Sequence, residues 1–122
     1  MNETDDKKFQ LYFDDVLVAN ITQHGSDFPG VFGDYVLAFS DPVDSLRQHI
    51  VKYIEFNTEA DRLMMSGDES GWEKYIEDNE EPFVDLIETE RWSLHDGVEI
   101  NKILVPIFGL ESSVTWRWNF NE

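Results

Sequence analysis

The side chains with the most chemical reach in this sequence are three histidines, His24, His49 and His95, and a large surplus of carboxylates. No two histidines have the i, i+4 spacing that places a pair of imidazoles on one helix face for zinc. His49 lies beside an apolar helical stripe, where a partly buried structural histidine is the ordinary outcome. Cysteine is absent, which removes disulfides, thiolate metal sites and cysteine nucleophiles together. The run Asp68-Glu69-Ser70-Gly71-Trp72-Glu73 is acidic and contains glycine, but it lacks the alternating oxygen ligands, the sixth-position glycine and the twelfth-position glutamate of an EF-hand. Helix capping accounts for it better. Glu77 and Glu81, one helical turn apart, would share a divalent ion only weakly without further ligands. No serine sits in a Gly-x-Ser-x-Gly elbow, and no glycine-rich run leads to a phosphate-cradling lysine. Asp34 beside Tyr35, and Glu99, are carboxylates of the kind that acid–base chemistry uses once their pKa is raised, yet any folded acidic protein offers similar groups. No catalytic or metal-binding residue is assigned on this basis, and no cofactor is implied.

What the carboxylates do as a population is more informative. The 122 residues hold 26 Asp and Glu against 9 Lys and Arg, a formal net charge of -17. Such a field repels the phosphates of nucleic acid and of anionic membranes, so neither is an expected partner. A content of 41% apolar and 14% aromatic residues is nonetheless that of a folded chain. Residues 55–90 carry thirteen of the acids against Arg62 and Lys74, which places -11 of the net charge on one segment. Within it Glu73, Glu77, Glu80, Glu81 and Glu88 fall off the stripe of Trp72, Ile76, Phe83 and Leu86, on the solvent side of a predicted helix. Like charges four apart on a helix repel by roughly 0.2–0.5 kcal/mol per pair, a cost that a cationic partner would offset.

Three functional readings follow. In the first, those five glutamates engage a basic protein, as in an immunity protein or inhibitor, or a protein imitating the charge of DNA. In the second, Phe28, Phe32 and Tyr35, in the aromatic run Phe28-Pro29-Gly30-Val31-Phe32-Gly33-Asp34-Tyr35, border a small-ligand or catalytic site; the ordinary alternative is a lid of Phe28 and Phe32 over the sheet. In the third, the charge serves only solubility.

The elements that must position these residues read as α+β. Residues 1–8 are polar and expected to be frayed, with one domain over 9–122. No leader or membrane span is read, and a cytoplasmic location is expected. Phe9, Leu11 and Phe13 alternate with polar neighbours, and a hairpin turn at Asp14-Asp15 leads to an apolar, β-branched run over 16–21. Residues 24–34 read as a glycine-rich loop and 35–39 as a third strand. Asp41 and Pro42 mark the start of a helix running to about Gly67. Ser70 and Glu73 have capping-box spacing for a second helix, kinked or broken at Pro82 and ending by Thr89 or Glu90. Trp92–His95 and residues 98–100 flank a two-residue turn at Asp96-Gly97. Residues 103–108 form an edge or bulged strand at Pro106, and Val114, Trp116, Trp118 and Phe120 share the core face of a last strand. Arg117, on the opposite face, is expected to pair with a cross-strand acid such as Glu99. The sum is an antiparallel sheet of five to six strands in the order β-β-β-α-α-β-β-β, both helices packed on one face.

Overall fold

The computed structural model of the chain describes residues 7–27, 30–41 and 43–119. Among them the α+β class is observed, with seven strands and three helices rather than five to six and two. β1 (Lys7–Phe13), β2 (Val16–Asp27) and β3 (Gly30–Leu37) precede α1 (Ser45–Met65) and α2 (Glu69–Asn79). A 3-10 turn over Glu81–Phe83 leads into the one-turn α3 (Val84–Ile87). β4 (Trp92–His95), β5 (Ile100–Lys102), β6 (Ile107–Phe108) and β7 (Ser113–Arg117) complete one antiparallel sheet of order β5-β4-β1-β2-β3-β7-β6. Lys7 and Lys8 thus belong to a strand, and residues 1–6 lie outside those described.

The sheet curls on itself. β1 and β7 are three ladders apart, yet Phe9 of β1 meets the rings of Trp116 and Trp118 at 6.3 and 5.9 Å. Backbone bonds from Leu104 N to Arg117 O (2.9 Å) and from Asn119 N to Lys102 O (3.0 Å), with an Ile103–Trp118 bridge, tie the chain after β5 to the end of β7. The concave face gathers Phe9, Leu11, Phe13, Trp92, Leu94 and Trp116 in the buried core, and α1 packs into it through Ile50, Tyr53 and Phe56. The alternation of apolar and polar residues in β1 and β7 is the sequence record of that one-sided burial. Helix α2 buries no residue fully and packs against α1, through contacts such as Phe56–Tyr75 at 5.6 Å. The expectation that both helices cover the sheet therefore holds for α1 only. Among the described residues no helix is long and apolar enough to cross a membrane.

Several boundaries move for identifiable reasons. The expected loop over 24–34 is largely ladder: β2 and β3 pair from Ala19–Leu37 to Asp27–Gly30, with a bulge between Gln23 and Gly25. Glycine here admits a close approach of backbones rather than a turn. A Cβ on Gly33 would lie inside contact with the Thr22 carbonyl oxygen and 2.9 Å from Gln23 Cα. Gly33→Ala is accordingly expected to lower the unfolding free energy by about 1–3 kcal/mol in urea titration, since the obstruction is backbone and cannot rotate away.

Helix α1 is capped by Asp44, whose carboxylate accepts from Arg47 N at 2.8 Å and also pairs with the Arg47 guanidinium. Asp41 is not the cap, and Pro42 lies outside the described residues. Asp68, not Ser70, caps α2, accepting from Gly71 N at 2.9 Å. In both cases a carboxylate three residues before an open amide wins the cap. The 14–15 turn is two residues long, with Asp14 at φ 55. Arg91 holds it: Nε donates to Asp14 Oδ2 at 2.7 Å, and the guanidinium lies 4.4 Å from the centroid of the Phe13 ring. Those hydrogen bonds keep the Asp14 carboxyl below its usual range.

The Asp96-Gly97 turn is longer than two residues. His95 pairs with Ile100, and the Asp96 carboxylate accepts from Val98 N and Glu99 N at 2.8 and 2.7 Å, a self-contained turn that moves β5 two residues on. β6 spans only Ile107–Phe108, at the sheet edge and beyond Pro106. Trp116 is buried and Trp118 half-buried, as expected of the core face, whereas Phe120 lies outside the described residues. Arg117 and Glu99 do not meet across a ladder, because β7 pairs with β3 and β6 while Glu99 precedes β5, which pairs with β4.

Candidate partner-binding site

Each of the five predicted glutamates is exposed. Glu73 and Glu77 stand on α2, Glu80 is its C-cap, Glu81 opens the 3-10 turn and Glu88 is the C-cap of α3. At 100° per residue, Glu73, Glu77, Glu80 and Glu81 fall within one arc of the helix surface. Glu88 follows the break at Pro82 and leaves that arc. Lys74, in the same stretch, is spent on an i, i+4 pair with Asp78 at 3.2 Å. The effect of the surrounding acids is visible on Tyr75, whose phenol is pushed up by burial and further by Glu59 and Glu55.

Beside this arc runs a groove of about 550 Å³ between α2 and β6, floored by α1. Trp72 and Ile76 of α2 form one wall, Val105 and Ile107 the other, and Met64 and Glu80 stand among the remaining lining residues. Among the described residues its carboxylates are Glu80 and Asp61, and neither lysine nor arginine lines it. Met64 and Ile107 are 44% and 51% exposed, so apolar surface is presented to solvent at the mouth. Burial pushes the Tyr53 phenol at its floor well above the usual range; Asn57 partly opposes the rise and the Glu80 carboxylate adds to it.

The β6 wall is held by a polar seam on α1. Tyr53, Asn57 and Asp61 recur every four residues, so they rise along one helix face. The Tyr53 hydroxyl donates to Pro106 O (3.0 Å), Asn57 Oδ1 accepts from Phe108 N (3.0 Å), and Asp61 Oδ2 accepts from Leu110 N (2.9 Å). A Cβ on Gly109 would sit 2.6 Å from Ser113 Oγ and 2.8 Å from that Asp61 oxygen, so a side chain there would have to push both aside. Asn57→Ala strands the Phe108 amide in a buried setting and is expected to lower stability by about 1–3 kcal/mol, read by urea denaturation. Hydrogen exchange at Phe108 and Leu110 should accelerate first.

Of the second set of predicted contacts, the two described residues stand on opposite faces of β3. Phe32 is exposed on the convex face, while Tyr35, three residues on, is half-buried on the concave one, edge-on to Phe108 at 4.9 Å. Burial raises its phenol pKa. Phe28 lies outside the described residues. Asp34 meets His24 Nε2 at 2.7 Å on the convex side. His49 is half-buried, stacked on Phe83 and 3.0 Å from Asp85 Oδ1, a structural link from α1 to α3. His95 stacks on Tyr12 at 4.1 Å and lies 3.3 Å from Ser93 Oγ, an incomplete dyad with no carboxylate bonded to the imidazole among the described residues.

Sequence periodicity missed the groove because its walls come from segments 29 or more residues apart in the chain. The available signal was a polar Asn57 in an otherwise apolar stripe. In comparisons with protein-family models, curated proteins and solved structures, nothing matches the chain.

Proposed function

We propose that this chain is a non-enzymatic acidic binding protein that engages a basic protein partner through the α2 face, with an immunity or inhibitor role as its most concrete form and the cytoplasm as its place of action. The observation that carries the reading is the exposed arc of Glu73, Glu77, Glu80 and Glu81 on a helix that buries no residue fully. Tyr75 and Ile76 hold α2 against the core while its carboxylates stand in solvent, open to a partner. Repulsion along it is relieved when cations arrive, which is the energetic condition for steering a basic partner. A role as a DNA mimic uses the same residues and differs only in the partner, a protein that itself binds nucleic acid.

A pull-down at low ionic strength, comparing the wild type with Glu77→Lys/Glu81→Lys, tests the reading. The expected result is a basic protein retained by the wild type, released as salt approaches about 0.5 M, and lost from the variant. A partner whose affinity ignores both salt and the substitutions overturns the acidic-face mechanism.

A further inference from the structure

We infer that the groove between α2 and β6 receives one large apolar side chain of the partner, aromatic or long aliphatic, carried in a segment rich in lysine or arginine. This rests on the acidic-face reading and adds the residue that confers specificity to it. At about 550 Å³ the groove is roomier than one aromatic side chain needs, so the anchor enters together with the aliphatic stems of the basic residues beside it. Its walls are apolar, with Trp72, Ile76, Val105 and Ile107 facing one another across an α1 floor. Charge complementarity selects the occupant. Among the described residues the groove holds Glu80 and Asp61 and no cationic side chain, and Glu73 and Glu77 stand exposed on the same helix, with Glu81 in the turn that follows it. An anionic ligand would be repelled at the mouth, whereas a basic segment places its charges over these carboxylates and its apolar residue between the walls.

The division of labour follows from physical chemistry. Exposed rim charges set the encounter rate and contribute little to the lifetime of a complex, because water and salt screen them. Residence comes from an apolar anchor desolvated in a central pocket. The wall opposite α2 is suited to this use because Tyr53, Asn57 and Asp61 fasten it to α1, so it stands before the partner arrives.

The test is selection of a displayed random 12-residue peptide library on the full chain at low salt, followed by fluorescence anisotropy of the recovered peptides. The expected peptides combine several Lys or Arg with one recurrent Trp, Phe or Leu. Changing that residue to Ser weakens binding to the wild type by about tenfold or more, the size of an interface anchor. It matters little for Met64→Trp, which fills the groove from its exposed mouth, and for Ile107→Asp, which makes a wall polar. Recovery of basic peptides with no apolar position, or an anchor effect unchanged in both variants, overturns the groove inference and leaves the acidic-face reading standing. Apolar peptides that bind Glu73→Lys/Glu77→Lys/Glu81→Lys as well as wild type overturn the acidic-face reading. Failure to enrich any peptide counts against both.

Discussion

The triple reversal Glu73→Lys/Glu77→Lys/Glu81→Lys is expected to slow association with the basic partner by about 10- to 100-fold at low salt and to flatten the dependence of the rate on ionic strength. Each reversal adds two units, so the molecule moves from -17 to -11 and residues 55–90 from -11 to -5. A fall in total charge is not the sharp part of the prediction. Asp15→Lys/Glu99→Lys/Glu111→Lys makes the same change at exposed positions in three turns of the β segments, and should slow association far less if the encounter is directed to α2. Stopped-flow rates across salt concentrations compare the two variants. The Debye length of about 10 Å at 0.1 M means the difference should shrink as salt rises, with dissociation rates nearly unchanged. Equal slowing by the two triples would show that net charge, and not a face, governs the encounter. The fold is not expected to suffer, because the substitutions break the like-charge series along α2 and the side chains are exposed.

Trp92→Ala is expected to remove about 3–5 kcal/mol of unfolding free energy, a large share of the roughly 5–15 kcal/mol that domains of this size possess. Trp92 is fully buried at the start of β4, edge-on to Phe13 at 4.9 Å, and its Nε1 donates to Leu86 O at 2.7 Å. One side chain therefore joins the sheet to α3 by both packing and a hydrogen bond. Trp92→Phe keeps much of the packing, strands the Leu86 carbonyl and should cost less. Trp116→Phe supplies the contrast: Trp116 is also interior, but its Nε1 has no hydrogen-bond partner among the described residues, so removing that donor costs no such bond. In urea titrations followed by far-UV circular dichroism, Trp92→Phe should lose more stability than Trp116→Phe. The reverse order would mean that the Trp92–Leu86 bond contributes nothing net.

The α+β class, the 14–15 hairpin, β4 and the break at Pro82 were legible in the chain because each rests on neighbours in sequence: alternation, turn chemistry and the missing amide of proline. The acidic arc was legible for the same reason, since 3.6-residue periodicity alone decides which glutamates share a side of α2. Where two local signals competed, geometry chose between them. Asp44 and Asp68 took the caps from Asp41 and Ser70 because their carboxylates reach an open amide. Residues 24–34 read locally as a loop, yet those described pair as ladder on both sides of the turn, and at Gly33 the neighbouring backbone comes closer than a side chain permits.

The convergence of distant elements was beyond local reading. Nothing near Phe9 announces that it will touch Trp116 and Trp118, since that contact exists only once the sheet has curled through three ladders. Likewise Asn57 stands out as polar in its stripe, but with Tyr53 and Asp61 it becomes a clamp only when residues 106–110 dock on α1. The sequence by itself determined the charge, the class of fold and the side of α2 on which the carboxylates stand. Tertiary structure alone decided that an apolar groove lies beside them, because its walls are joined by packing between segments that share no local periodicity.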